Sequence, residues 1–302
     1  MNIKVILNPK AGKGHAVHIW EMTNRLLKAL SKKGFSGTGH QSLAPEHTRD
    51  LAGQADAQGY DAVMVIGGDG TVGDAAWGCL EHRLPLIVIP AGTGNACARS
   101  LGLSSKQDDL KQLLLQGEVS ELDAGMIGNS FFINMAGIGF DADVLERYHH
   151  TGWARGIPGY IAVGLGMLRS YRPLSVTLTC DGHVHSSLAA MVGVCNGPYY
   201  GGGLQMAPHA SMQDGRLDVC VLENLSAADY ITIWQKLYAG EHVRHPKVKL
   251  FQAEHMLIES ESTLKYHRDG DLAGVTPCEV RVLPKALRVM TPRGWAHRSG
   301  RD

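Results

Sequence analysis

Three apolar runs in the first hundred residues are each followed by a turn and then by a helical pattern. The runs are "IKVIL", "DAVMVIGG" and "LPLIVIP", and their apolar residues are continuous rather than alternating. Continuous apolar strands that alternate with helices indicate a parallel sheet with helices on both faces. We therefore predict an α/β domain over residues 1–121, to which a C-terminal segment at about 285–302 returns.

Residues 122–284 have a different pattern, because short β-rich runs divided by turns replace the strand–helix alternation. "SVTLTC" alternates between apolar and polar residues, and the Asp181-Gly182 pair that follows is a hairpin signal. Helical segments are expected at Val144–His150, at Pro158–Ser170 and near Ala227–Tyr238. This half of the chain is predicted to be a mostly antiparallel β-sandwich domain.

Composition excludes several classes of function. The 29 Lys and Arg residues balance the 29 Asp and Glu residues, so no overall basic field favours nucleic acid. The six cysteines lie far apart without a C-x-x-C motif, which argues against a zinc ribbon and for buried free thiols. The N-terminus does not resemble a secretory signal, and no apolar run reaches the ~18 residues that a membrane span needs. A cytoplasmic protein is expected.

Three glycine-rich loops, at residues 8–14, 67–71 and 90–95, follow the predicted strands. Open α/β sheets bind ligands at the carboxyl ends of their strands, and backbone N–H groups in such turns favour phosphate. The sequence contains neither the G-x-x-x-x-G-K-[ST] motif of a P-loop nor a complete dinucleotide fingerprint. A phosphate ligand held in another way is the remaining interpretation.

Each candidate motif also has a simpler structural interpretation. Asp69, in "GGDGT", can be a helix N-cap beside glycine turns. Asp269-Gly270 and Asp214-Gly215 can be type I′ turns, because Asp-Gly is a common turn dipeptide. Taken singly, these motifs do not decide between a turn and a ligand site.

Taken in order, the motifs resemble those of the diacylglycerol kinase catalytic-domain superfamily. That group includes bacterial lipid kinases, sphingosine and ceramide kinases and, more distantly, NAD kinases. The matching segments cover nearly the whole chain and are "NPKAG" at 8–12, "GGDGT" at 67–71, "PAGTGN" at 90–95, "AGIGFDADV" at 136–144, "NGPYYGGGLQMAPHASMQDGRLDV" at 196–219 and "DGD" at 269–271. The ordered set resembles the lipid-kinase members more than the NAD kinases.

The resemblance implies a lipid kinase that transfers the γ-phosphoryl group of ATP, or another nucleoside triphosphate, to a diacylglycerol-like lipid alcohol. Asp69 would organise Mg²⁺ beside the phosphates, because a triphosphate and a carboxylate need a cation between them. Ser42 is the guess for a family threonine that has no clear counterpart, and Ala96 stands where many bacterial members carry Asp. The implied nucleotide-binding residues are Asn8, Lys13, Ser42, Gly67, Gly68, Asp69, Gly70, Thr71, Thr93 and Asn95.

On the acceptor side, the resemblance implies that Asp269 is the general base that takes the proton of the lipid hydroxyl. Asp271 stands where the family has Glu, and its side chain is one methylene shorter, so which of the two acids accepts the proton stays open.

A structural Mg²⁺ ion is implied in "SMQDGRLDV". Its ligands would be the Asp214 carboxylate and the backbone carbonyls of Ser211 and Arg216, with Asp123 linked to that region.

The acceptor would be met transiently at a membrane surface, by peripheral association. The stretch 147–172 combines Arg, Tyr and Trp153 with an apolar run and is the candidate docking segment, although an ordinary helix packed on the β domain is the simpler and preferred interpretation. The sequence names no lipid and allows a homodimer. Two other functions stay open: a kinase of a soluble polyol or nucleotide, and a non-catalytic lipid- or nucleotide-binding regulatory protein of the same fold.

Overall fold

The computed structural model describes residues 1–152, 156–168 and 170–295. The chain divides into two compact units. The first consists of Met1–Asp123 and the C-terminal segment that begins at Lys285, and the second is Ala124–Pro284.

The first unit is an α/β domain with a parallel sheet in the order β4-β3-β1-β2. All six residues of β3 are buried, as expected for a strand with both faces covered. In chain order its elements are β1 (Asn2–Leu7), α1 (His15–Ala29), β2 (Ser36–Gln41), α2 (Pro45–Gly53), β3 (Ala62–Gly67), α3 (Asp69–Cys79), β4 (Leu86–Pro90), α4 (Ala96–Ser100), α5 (Gln107–Gln116) and β5 (Glu118–Ile127), which continues into the second unit.

The helices of the first unit follow the apolar pattern with a few differences. α1 buries Ile19, Leu26 and Leu27. α2 ends at Gly53, and residues 54–59 continue as turns, in which the Ala55 N–H bonds to Ala52 and the Gly59 N–H bonds to Asp56. α3 begins at Asp69, so the glycine motif itself forms the first helical turn. α5 was not predicted from the sequence, although its leucines pack into the core of this unit.

The second unit is a mostly antiparallel β domain, as predicted. In chain order its elements are β6 (Ser130–Phe132), β7 (Met135–Gly139), α6 (Phe140–His149), α7 (Gly156–Leu168), β8 (Leu174–Cys180), β9 (His183–Cys195), β10 (Leu217–Glu223), α8 (Ala227–Leu237), β11 (Val248–Ala253), β12 (His255–Ser260), β13 (Lys265–Arg268), β14 (Asp271–Val275) and β15 (Cys278–Thr291). Its strand order is β14-β13-β7-β9-β8-β12-β15, and β10 pairs with β9 and β11. The three predicted helices correspond to α6, α7 and α8.

Two apolar clusters form the core of the second unit. One contains Val176, Val192 and Met256 from the strands. The other brings α6, α7 and α8 together through residues such as Tyr160 and Ile233. Across the residues that the structure covers, we find no helix both long enough and apolar enough to span a membrane.

The end of β15 belongs to the first unit, where Val289 pairs in parallel with Leu86 of β4.

Candidate active site

Three loops of the first unit gather at the carboxyl edge of its parallel sheet, because each follows a strand that ends there. The first leaves β1 and contains a 3-10 turn at Ala11–Gly14, the second joins β3 to α3, and the third joins β4 to α4. The Asn8 side chain links two of them by donating a hydrogen bond from Nδ2 to Oγ1 of Thr71, at 2.9 Å. Two candidate nucleotide-binding residues are thereby in direct contact.

The glycines in these loops allow backbone segments to touch. A Cβ atom on Gly92 would lie 2.6 Å from the Cα atom of Gly68, and a Cβ on Gly12 would lie 2.3 Å from the carbonyl oxygen of Ala91. A Cβ on Gly67 would lie 2.6 Å from Cβ of Thr71. Side chains are therefore excluded by contacts between the loops, independently of any ligand.

Asn95 gives the third loop its shape. Its backbone is left-handed, with φ of 52°, and its side chain closes a ring with Gly92, accepting from the backbone N–H at 2.9 Å and donating to the carbonyl oxygen at 2.8 Å. The Asn95 amide is thus engaged within the loop itself.

The Asp69 carboxylate lies between the second and third loops. Gly68, and not Asp69, is the N-cap of α3, so the simple capping interpretation of Asp69 is wrong. The Asp69 carboxylate instead accepts a hydrogen bond from the backbone N–H of Cys97, at 3.1 Å, in the first turn of α4. Burial raises the pKa of Asp69, against hydrogen bonds from the N–H groups of residues 95–97.

These surroundings fit a cation beside Asp69. A carboxylate whose ionised form is disfavoured by burial gains from a neighbouring positive charge, and its oxygens suit Mg²⁺.

The other candidate nucleotide-binding residues differ in their exposure and in their hydrogen bonds. Lys13 and Thr93 are exposed in the first and third loops, and Gly70 lies in the first turn of α3. Ser42 follows β2 and is buried, and its hydroxyl bonds to the carbonyl oxygen of Ala44 and to the hydroxyl of Thr48. The Ser42 hydroxyl is therefore satisfied by its own turn.

In the second unit, Asp269 and Gly270 form the two-residue turn between β13 and β14. Both have positive φ, 48° and 93°, and Arg268 pairs with Asp271, as in a type I′ hairpin. The turn interpretation is therefore correct, but the Asp269 carboxylate also makes contacts outside the turn.

The Asp269 carboxylate is held by three backbone N–H groups at the start of β7. Oδ1 accepts from Asn134 and Met135, both at 3.0 Å, and Oδ2 accepts from Ile133 at 2.8 Å. Burial raises the pKa of Asp269 to about 6, against these hydrogen bonds. Asp271, by contrast, is exposed at the start of β14.

The predicted structural Mg²⁺ loop brings two carboxylates together. Asp214 accepts from the N–H of Arg216 at 3.0 Å, and the Gln252 amide donates to Asp214 at 3.2 Å and to Asp218 at 3.3 Å. Burial raises the pKa of Asp218 to about 6, and the Asp214 charge adds to that effect. Two acidic side chains this close fit a cation.

The same loop is not a type I′ turn, because Gly215 has a positive φ of 74° and Asp214 does not. The Ser211 hydroxyl accepts from the N–H of Gln213 at 3.3 Å. Asp123 is buried in the first unit, where its carboxylate accepts the N–H of Lys285 at 2.7 Å. Within residues 1–152, 156–168 and 170–295, no group of three or more His, Cys, Asp and Glu side chains has the arrangement of a metal site.

Sequence reasoning missed a buried polar network in the second unit. Asp141 lies 2.7 Å from Nε2 of His267 and accepts hydrogen bonds from the hydroxyls of Tyr160 and Tyr200. The only sequence signals were the position of His267 two residues before Asp269 and that of Asp141 in "AGIGFDADV".

Known proteins share both units of this chain. Residues 2–127 match the diacylglycerol kinase catalytic domain, and residues 134–291 match the YegS C-terminal NAD kinase beta sandwich-like domain. A protein of Mycobacterium tuberculosis (strain H37Rv) named diacylglycerol kinase is 31% identical over 299 residues, which cover 96% of this chain and 95% of that protein. The diacylglycerol kinase of Bacillus subtilis (strain 168) is 26% identical over 302 residues, with 96% of each chain covered.

Solved structures agree with this fold. A crystal structure from Bacillus anthracis str. Sterne superimposes with a TM-score of 0.78 and 26% identity, covering 97% of this chain and 95% of that one. A crystal structure of a diacylglycerol kinase from the same organism gives a TM-score of 0.75 at 23% identity and covers 97% of both chains. From its two matched domains and its full-length relatives, the chain belongs to the diacylglycerol kinase family of lipid kinases.

Proposed function

We propose that this enzyme transfers the γ-phosphoryl group of ATP to the free hydroxyl of diacylglycerol or a closely similar lipid alcohol. The nucleotide phosphates would bind at the glycine loops of the first unit. The curated relatives named diacylglycerol kinase and the intact Asp69 and Asp269 support this choice.

The observation that carries the proposal is the state of the Asp269 carboxylate. Oδ1 already accepts two N–H groups and Oδ2 accepts one, so Oδ2 keeps a lone pair for a proton. With a pKa of about 6, the group is ionised at neutral pH yet basic enough to take up a proton.

In the proposed reaction the lipid hydroxyl oxygen forms the bond to the γ-phosphorus while the bond to the β,γ-bridging oxygen breaks. The hydroxyl proton passes to Oδ2 of Asp269, and ADP leaves. Mg²⁺, when bound, would neutralise charge on the phosphates, with Asp69 as the residue that holds it. The backbone N–H groups of the glycine loops would orient the phosphates.

A lipid acceptor is favoured over a soluble polyol by the full-length relatives, which are named diacylglycerol kinase.

The test is an acceptor screen with purified enzyme, labelled ATP and Mg²⁺. Diacylglycerol, phosphatidylglycerol, a sphingoid base and a prenol are presented in mixed micelles, with glycerol as the soluble competitor. We expect labelled phosphatidic acid, identified by mass spectrometry, and no product with the Asp69→Asn variant. Tight ATP binding without transfer to any acceptor would favour a regulatory protein, and preferred labelling of glycerol would favour a polyol kinase.

A further inference from the structure

The hairpin that carries Asp269 lies at the edge of its sheet. Its outer strand, β14, ends the strand order and is exposed or half-buried along its length. The inner strand, β13, pairs with β7 through three residues, of which His267 is the middle one, opposite Gly137. Besides the bonds that Asp269 itself makes to residues 133–135, the place of the turn therefore depends on how firmly these three residues hold β7.

His267 provides a side-chain link at this point. It is fully buried, and its Nε2 lies 2.7 Å from Oδ2 of Asp141, in the first turn of α6 directly after β7. A Cβ atom on Gly137 would lie 2.3 Å from Nε2 of His267 and 2.5 Å from Oδ2 of Asp141. Gly137 thus leaves room for the His267–Asp141 pair, and any side chain at position 137 would collide with it.

Asp141 is fixed in turn by two tyrosines. Its Oδ1 accepts hydrogen bonds from Tyr160 at 2.5 Å and from Tyr200 at 3.1 Å, and the two hydroxyls lie 3.1 Å apart. Burial alone would raise the pKa of Asp141, but the His267 charge and these hydrogen bonds hold it below its ordinary value. The carboxylate is therefore a charged, fully bonded anchor.

The hairpin holds β7 at two points. The Asp269 carboxylate bonds to the N–H groups at residues 133–135, where β7 begins. His267 bonds to Asp141, just beyond the end of β7. Loss of the second hold lets the turn, and with it the carboxylate, shift relative to β7.

We propose that His267 and Asp141 are positioning residues that keep the Asp269 carboxylate where it can accept the proton of the lipid hydroxyl. The inference rests on the proposed function, in which Asp269 is the base. The reason is geometric, since a misplacement of about 1 Å in a catalytic group costs on the order of 100-fold in rate.

The experiment compares His267→Gln with wild type in the full-length enzyme, with saturating ATP and diacylglycerol in mixed micelles. Gln keeps a hydrogen-bond donor and loses the ring. We expect kcat to fall at least about tenfold while the KM for ATP stays within about twofold, as for a change confined to the acceptor side. Hydrogen exchange at the amides of Asn134 and Met135, which Asp269 holds, should quicken while β9 keeps its protection.

Glu146→Gln is the matched control. It breaks the Lys265–Glu146 pair, 2.5 Å long and partly exposed, which joins the same two elements, β13 and α6. We expect this variant to keep the wild-type kcat, because an exposed ion pair contributes little. His267→Ala is a second, harsher variant and is used only if it folds.

Two results would overturn the inference. One is a folded His267→Gln enzyme with kcat within about twofold of wild type. The other is an equal loss of kcat in His267→Gln and Glu146→Gln. Asp269→Asn separates this inference from the proposed function: activity retained in that variant removes Asp269 as base, whereas activity lost there but kept in His267→Gln removes only the positioning role.

Discussion

At the scale of single residues, the Asp69 carboxylate has a hydrogen-bond partner in the structure, and we propose that it also holds Mg²⁺. It accepts the N–H of Cys97, and an Asn side chain keeps an oxygen for that bond while losing the negative charge. We expect Asp69→Asn to keep the wild-type Tm and to lose at least about 100-fold in kcat, because charge stabilisation by a held cation contributes several kcal/mol. Thermal denaturation and steady-state kinetics check this, and near-normal turnover in the folded variant would exclude Asp69 from the chemistry.

The Asp269 carboxylate predicts a pH profile. Its pKa is raised to about 6, chiefly by burial, and the ionised form is the base. kcat/KM should therefore be constant above that pH and fall tenfold for each unit of pH below it. Asp269→Asn should abolish turnover, while Asp271→Asn, in an exposed neighbour, should keep the profile. Loss of activity in the Asp271 variant alone would reverse the two roles.

At the scale of elements, the contact between the second and third glycine loops can be tested without a ligand. A methyl group on Gly92 would meet the backbone at Gly68, so Gly92→Ala should destabilise the protein by about 1–3 kcal/mol. It should also weaken ATP binding, measured by calorimetry. Gly166→Ala in α7 is the matched control, since its Cβ would meet nothing within 4 Å, and helix propensity favours Ala there. Equal stability of the two variants would show that the loops can move apart.

The sequence predicted elements whose pattern is local. The continuous apolar runs identified β3 and β4, and Asp-Gly signals identified the turns at Asp181 and Asp269. It could not predict contacts between distant segments. Thr71 bonding to Asn8 and His267 bonding to Asp141 join residues 63 and 126 positions apart, and neither spacing leaves a periodic trace.

The loop at residues 211–218 is expected to bind Mg²⁺ and thereby stabilise the protein. Asp214 is exposed and lies beside Asp218, whose pKa is raised to about 6, so a bound cation would relieve the charge on both. Mg²⁺ should raise the Tm of the nucleotide-free wild type, and Asp214→Ala should remove that increase. Asp271→Ala, also exposed, should keep it. If Mg²⁺ stabilises wild type and Asp214→Ala equally, this loop is only a turn and does not bind the metal.

At the scale of the whole molecule, the proposed acceptor resides in a bilayer, so we propose that the enzyme binds transiently to the membrane surface. α7 has no charged residue, and Pro158, Ala162 and Gly166 on its outer face are exposed. Ile231 on α8 is 45% exposed, and Tyr238, directly after α8, is 52% exposed. Trp153, which the sequence also suggested for this surface, lies outside the described residues.

Flanking charges suit this role. Arg147 in α6 and Arg172 after α7 are exposed, and basic groups around an apolar helix attract anionic lipid. Ala162→Glu should therefore weaken cosedimentation with vesicles of phosphatidylglycerol and phosphatidylcholine. It should also lower activity on vesicle-borne diacylglycerol and spare activity on a short-chain, soluble diacylglycerol, because the catalytic groups are unchanged.

Val184→Glu supplies the matched control, since it places the same charge on a residue of β9 that is 65% exposed. If both variants lose vesicle binding equally, the effect is one of net charge, and α7 is not the docking surface. If Ala162→Glu loses activity on both acceptors, α7 supports the fold or the acceptor site instead. Only a loss confined to Ala162→Glu and to vesicle-borne lipid assigns α7 to the membrane.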